Sequence, residues 1–205
     1  MDHGADYDRL SKQIEFIVEI DNLKQVLRRT LTVNADRNEN SAEHSWHIAV
    51  MGVLLSEYAA EREGGREIDL LRAIKMMLVH DIVEIDAGDT YCYDEDGAKD
   101  KLERETRAAD RIFAILPADQ AAELRALWDE FEAAETAESK FANALDRLQA
   151  LLLNYHVGGR TWQKHNVTHR QVIWRAQPIQ AGSPRLWEYA KALVADAVAK
   201  GLLRE

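Results

Sequence analysis

Cysteine is nearly absent from this 205-residue chain. Cys92 is the only one, which excludes an intramolecular disulfide framework and a thiolate-rich zinc site, and suits a reducing cytoplasm. A metal would have to be held by histidines and carboxylates. Basic side chains are outnumbered, 26 Lys and Arg against 36 Asp and Glu, for a formal net charge of −10. That balance argues against binding to a nucleic acid polymer, which needs a basic face to displace counterions from phosphates. Long apolar runs are missing too: none approaches the roughly 18 residues of a membrane span, and the acidic start Met1-Asp2-His3-Gly4-Ala5-Asp6 lacks the basic and apolar regions of a signal peptide. A cytoplasmic protein with no membrane partner is expected.

Only Pro117, Pro178 and Pro184 interrupt the chain. No repeat, low-complexity tract or Gly/Ser/Pro-rich linker divides it, so one domain over residues 1–205 is expected. Apolar residues recur at intervals of three and four almost throughout, while alternating β-branched runs are scarce. The pattern predicts an all-α fold. Helices are expected near Tyr7–Arg28, Ser41–Arg62, Asp69–Asp86, Lys99–Leu116, Ala118–Ala134, Ala137–His156, Thr168–Arg175 and Pro184–Gly201. Asn40 followed by Glu43 can cap the second of these, and Gly64-Gly65 separates it from the third. The longest unpatterned stretch is the polar and aromatic Gly88–Gly97, a loop of the kind that covers a site.

Ionisable residues interrupt the apolar faces at three places. Advancing about 100° per residue, His44 falls at the centre of the Ile48, Met51, Leu55 stripe. In the third helix Asp81 lies beside Ile74, Glu84 beside Met77, and His80 on the other edge of the stripe. Asp146 flanks the Leu145/Leu152 stripe of the sixth helix. Buried carboxylates without partners cost several kcal/mol or neutralise through a shifted pKa. Two histidines and two aspartates from three helices can instead converge on one divalent cation, leaving positions open on a six-coordinate ion. Such an ion acidifies a bound water toward neutral pH and polarises a phosphoryl oxygen. Glu84, one turn beyond His80, is placed to accept or relay a proton.

His44, then His80-Asp81, then Asp146 resembles the H…HD…D signature of HD-domain metal-dependent phosphohydrolases. The words around it, Glu43-His44-Ser45-Trp46, the run Val79 to Thr90, and Ala144-Leu145-Asp146-Arg147-Leu148-Gln149, are similar to the branch containing 5′-deoxynucleotidases. The likeness extends from about Leu23 to Gly201. It implies a helical bundle, with a motif-bearing core near residues 23–160 and C-terminal helices at 168–201 packing on it. It further implies a homodimer that hydrolyses nucleoside 5′-monophosphates to release inorganic phosphate, using one divalent metal such as Mn or Co, with Mg or Zn as alternatives. By the same likeness His44, His80, Asp81 and Asp146 match the metal ligands. Glu84 matches the acid that assists the attacking water, Asp89 one that contacts the nucleotide, and Arg29 and Arg37 arginines that hold the phosphate through paired hydrogen bonds.

One departure concerns the sugar. The branch often carries Arg-Trp where this chain has Arg29-Thr30, and threonine offers no flat apolar wall against a 2′-hydroxyl. The family's two-metal branches add histidines between the central HD and the last Asp, whereas here none occurs between His80 and His156, which favours one metal. His47 is read as structural. His156, His165 and His169 are read as surface or subunit contacts, and Trp128, Phe131, Trp174 and Trp187 as packing residues. Asp94-Glu95-Asp96 is read as a solvated tip, and Cys92 as inert. Two other readings stay open: hydrolysis of another small phosphorylated metabolite or a cyclic nucleotide, and a non-catalytic nucleotide-sensing protein.

Overall fold

The computed structural model describes residues 3–34, 37–59, 67–94, 96–97 and 99–205. The expected all-α architecture is observed, with a single two-stranded sheet among the described residues. The helices are α1 (His3–Glu19), α2 (Ser41–Leu55), α3 (Leu70–Val79), α4 (Glu84–Ala87), α5 (Lys101–Phe113), α6 (Ala118–Ala133), α7 (Ala137–His156), α8 (Arg160–Lys164), α9 (His169–Ala176), α10 (Ile179–Gly182) and α11 (Pro184–Ala199). Antiparallel strands β1 (Leu27–Leu31) and β2 (Asn38–Asn40) lie between α1 and α2. No described helix is long and apolar enough to cross a membrane.

Helix α7 is the central rod, buried over most of its length. One core cluster gathers α2, α3, α6, α9, α10 and α11 around it through Ile48, Met77, Phe131, Leu145, Val172, Ile179 and Val194. A second joins α1, α5, α6 and the segment after α3 through Phe16, Val83, Ile112, Phe113 and Trp128. Helix α7 has the bounds expected for the sixth predicted helix, Ala137–His156, and Thr136 caps it by accepting from the Ser139 N–H. The capping box at α2 is also present: the Asn40 side chain accepts from Glu43 N at 2.9 Å, and Glu43 Oε2 accepts from Asn40 N at 3.2 Å.

Three expected boundaries are corrected. The first helix does not reach Arg28. It leaves α geometry at Glu19, passes through a 3₁₀ segment, Ile20–Gln25, and becomes β1, whose Leu27 and Leu31 pair with Asn40 and Asn38. Arg28 and Thr30 therefore face one side and Arg29 the other. The second helix ends at Leu55, followed by a 3₁₀ turn, Ser56–Tyr58; the Gly64-Gly65 break lies outside the described residues, as does Glu95. The third helix is broken after Val79. His80 N still bonds Met76 O, four residues back, but Ile82 N then bonds Val79 O and Glu84 N bonds Asp81 O, each three back, which tightens the chain before α4. Periodicity also missed the short helices α8 and α10.

Candidate metal centre

The break after α3 sets the site. In an unbroken helix the Met77 carbonyl would take the Asp81 N–H; here it lies 2.9 Å from His80 Nδ1. A carbonyl only accepts, so Nδ1 carries the proton and Nε2 presents its lone pair. His44, fully buried in α2, repeats the device. Its Nδ1 is 3.0 Å from Gln149 Oε1. The Gln149 amide is fixed in turn by donating from Nε2 to Glu39 Oε1 at 2.6 Å and to His47 Nδ1 at 3.2 Å. Both Nε2 atoms are buried without a hydrogen bond.

Those two lone pairs meet two carboxylates. Asp146 Oδ1 lies 3.1 Å from His44 Nε2, and Asp81 Oδ1 lies 3.0 Å from His80 Nε2. Donor atoms of His44, His80 and Asp81 fall within 4.8 Å of one another. Two orphaned imidazole nitrogens oriented by carbonyl acceptors, facing two carboxylates, fit a divalent cation. The four residues that the sequence singled out are thus brought together from α2, the segment after α3, and α7.

Cations of the protein already crowd this end. Arg28, 13% exposed at its side chain, donates from Nη1 to Asp81 Oδ2 at 2.8 Å, with Nη2 3.8 Å from Asp146 Oδ1 and Nε 3.8 Å from Glu39 Oε2. Arg147 donates to Asp146 Oδ2. Burial opposes ionisation of Asp81, but His80 and Arg28 prevail and hold it well below the usual carboxylate range. Asp146 is likewise held low by Arg147 and His44 against burial. Burial, and then Arg28, lower His44. Burial pulls His80 down as well, yet the Asp81 charge outweighs it and raises the imidazole to about 9. A proton on His80 and a metal ion therefore compete for one lone pair.

Glu84 opens α4 at 6% exposure and accepts from Ser41 Oγ at 2.6 Å. Burial, reinforced by Asp81, raises its carboxyl to about 8. Asp89, also raised by burial, lines the same cavity. This cavity, about 350 Å³, is walled by β1, the segment after α3, one face of α7, and residues of α8 and α9. Asp89 to Tyr93 of the Gly88–Gly97 loop form one side, as that loop's composition suggested.

Of the two expected arginines, Arg29 is exposed and lines the cavity together with a second cleft. Arg37 is not brought to the cavity. It is 57% exposed at its side chain and donates two hydrogen bonds to Glu43, 2.6 and 2.7 Å, because the capping glutamate beside it is the nearer anion. Trp128 and Trp187 are buried, but Trp174 is 68% exposed at the cavity. Arg28, Glu39, Ser41 and Gln149 belong to the site and were missed. Alternation along Leu27-Arg28-Arg29-Thr30-Leu31 was the signal for Arg28; nothing local marked the others.

This helical bundle with a buried His/Asp centre defines an HD domain. The HD domain family model matches residues 20–187, and the chain belongs to that family. It is 31% identical over 159 residues to the 5′-deoxynucleotidase HDDC2 of Dictyostelium discoideum, covering 77% of this chain and 83% of that protein. With the human 5′-deoxynucleotidase HDDC2 it shares 30% over 151 residues, 73% and 68% of the two chains. The crystal structure of a protein designated a predicted metal-dependent phosphohydrolase, from Magnetospirillum magnetotacticum MS-1, superposes with a TM-score of 0.91 at 54% identity, covering 97% of each chain. An HD-domain phosphohydrolase of Listeria innocua, at 18% identity and a TM-score of 0.59, shares the fold.

Proposed function

We infer that the protein is a metal-dependent phosphohydrolase that releases inorganic phosphate from nucleoside 5′-monophosphates. The observation that carries this reading is the pair of buried Nε2 atoms of His44 and His80, which face only the carboxylates of Asp146 and Asp81 at 3.1 and 3.0 Å. The names of the relatives support the substrate class. His44, His80, Asp81 and Asp146 would hold one divalent ion, Mn or Co among the first-row candidates. When bound, such an ion supplies Lewis acidity at the phosphoryl group and lowers the pKa of water.

The chain's own groups do the rest. Arg28 stands against Asp81 with its guanidinium on the cavity wall, where it can turn two donors toward phosphate oxygens. Arg29 adds positive charge at the same wall. Glu84, with Ser41 fixing one oxygen, offers Oε1 as proton acceptor for the attacking water; a carboxyl lifted to about 8 holds and releases a proton near neutral pH. Asp89, which lines the same cavity, would accept from a hydroxyl of the substrate. Arg37 acts from outside the cavity, by tying Glu43 to the α2 cap.

The protein is further inferred to act in the cytoplasm, as one domain over residues 1–205, and as a homodimer. The dimer reading rests on the exposed apolar stripe Tyr7, Leu10, Ile14, Ile17 and Val18 of α1. Elemental analysis, followed by phosphate release from a panel of ribo- and deoxyribonucleotides, cyclic nucleotides and sugar phosphates with Mn, Co or Mg added, tests the function. Release from 5′-monophosphates with dependence on added metal is expected. Absence of release from every 5′-monophosphate under all three metals overturns the reading.

A further inference from the structure

The far end of the cavity holds polar atoms that the reaction does not use. Asn154 is 9% exposed. Its Nδ2 donates to the Ala150 carbonyl at 2.8 Å, which leaves Oδ1 buried with nothing to accept from. Thr161, 5% exposed, has a buried hydroxyl without a partner, and so does Tyr91 on the loop opposite. All three residues line the cavity. A buried polar atom left unpaired is destabilising unless something outside the chain completes it.

Backbone geometry puts these groups there. Asn154 lies eight residues beyond Asp146 on α7, about 80° round the helix and about 12 Å along its axis. After His156 the helix ends in a Schellman turn, with Gly158 N donating to Tyr155 O at 3.0 Å and Gly159 N to Asn154 O at 2.9 Å. Both glycines are left-handed, φ 73° and 70°. A β carbon on Gly159 would meet the Leu202 carbonyl at 2.2 Å. This turn redirects the chain into α8, whose Thr161 and Trp162 line the same cavity as Asn154.

Asn154 Oδ1 is left to accept, while one Nδ2 hydrogen is committed to the Ala150 carbonyl. The Thr161 hydroxyl donates or accepts. Together they complement an N–H beside an acceptor, the pattern on the hydrogen-bonding edge of every nucleobase. We propose that Asn154 and Thr161 form a base-reading subsite that recognises this edge when the 5′-phosphate of a nucleotide lies at the His/Asp end. The proposal rests on the hydrolytic reading only for what occupies that other end. A phosphorylated sugar without a base would leave these atoms unpaired, so the subsite selects nucleotides over sugar phosphates.

The test uses the full chain and its Asn154→Leu and Thr161→Val variants, the second nearly isosteric and chosen to keep the fold. Binding of the four 2′-deoxynucleosides, which carry no phosphate, is measured by calorimetry without added metal. In parallel, kcat/KM is compared between deoxynucleoside 5′-monophosphates and 2-deoxyribose 5-phosphate. The wild type is expected to bind nucleosides, and each folded variant to weaken that binding and lower the nucleotide-to-sugar-phosphate ratio by about tenfold or more. No nucleoside binding by the wild type, or an unchanged affinity and ratio in Thr161→Val, overturns the subsite. Nucleoside binding that depends on Thr161, with no phosphate released from any nucleotide, removes the hydrolytic reading and leaves the subsite standing.

Discussion

At one end of the cavity, Asp81 and Asp146 face two imidazoles and are flanked by Arg28 and Arg147. At the other, the lining residues Asn154 and Thr161 are neutral, and their side-chain oxygens are buried without partners. The charged end compensates itself in part, since each acid holds a basic partner even before a metal arrives. The neutral end has no internal substitute for a ligand. A buried charge must be matched or it shifts its pKa, whereas an unpaired amide oxygen or hydroxyl costs less and can wait for a substrate. Chemistry is thus placed where the protein is electrostatically dense, and selection where it is merely incomplete.

Variants at the charged end should strike every substrate alike. Asp81→Ala is expected to abolish phosphate release and bound metal together, read by turnover and elemental analysis; retained turnover would remove the centre from the reaction. Glu84→Gln should keep the metal and lose about 10²- to 10⁴-fold in kcat on nucleotides and on 2-deoxyribose 5-phosphate equally. A substrate-dependent loss would move Glu84 to the selective side of the comparison. Gln149→Leu frees the His44 ring and should weaken metal affinity about 10- to 100-fold with the fold intact, measured by competition with a chelator. Gly159→Ala should lower the unfolding midpoint and destabilise the chain by more than about 1 kcal/mol, with the nucleotide-to-sugar-phosphate ratio falling as α8 loses its anchor. Arg37→Ala, outside both ends, should change kcat/KM by less than about twofold; a larger loss would bring this arginine back to the phosphate.

The acids and imidazoles of the charged end were legible because each, read at the helical period, falls on or beside an apolar stripe. His44 among Ile48 and Met51, and Asp146 beside Leu145, cannot be buried there without compensation. The interval Arg28-Arg29 was read on the wrong element. A helix extended to Arg28 leaves both arginines at a helix end, whereas the strand turns Arg28 inward with Thr30 and Arg29 outward. Glu39 and Gln149 carried no local sign of their roles, since each matters through a partner about a hundred residues away. Asn154 and Thr161 are ordinary polar residues in sequence. The Gly158-Gly159 pair was the one available hint that the chain turns between them.

By itself, the sequence determined the helical period, the cap at Asn40 and the residue types that a metal centre requires, because these depend on neighbours three or four positions away. Tertiary structure decided which side chains share one cavity. The tightening after Val79 freed the Met77 carbonyl for the His80 ring, the strand aimed Arg28 at Asp81, and the turn after α7 led into α8, whose Thr161 lines the same cavity as Asn154. Each of these rests on a backbone departure from the regular helix, and a periodic pattern contains no information about where its own period is broken in space.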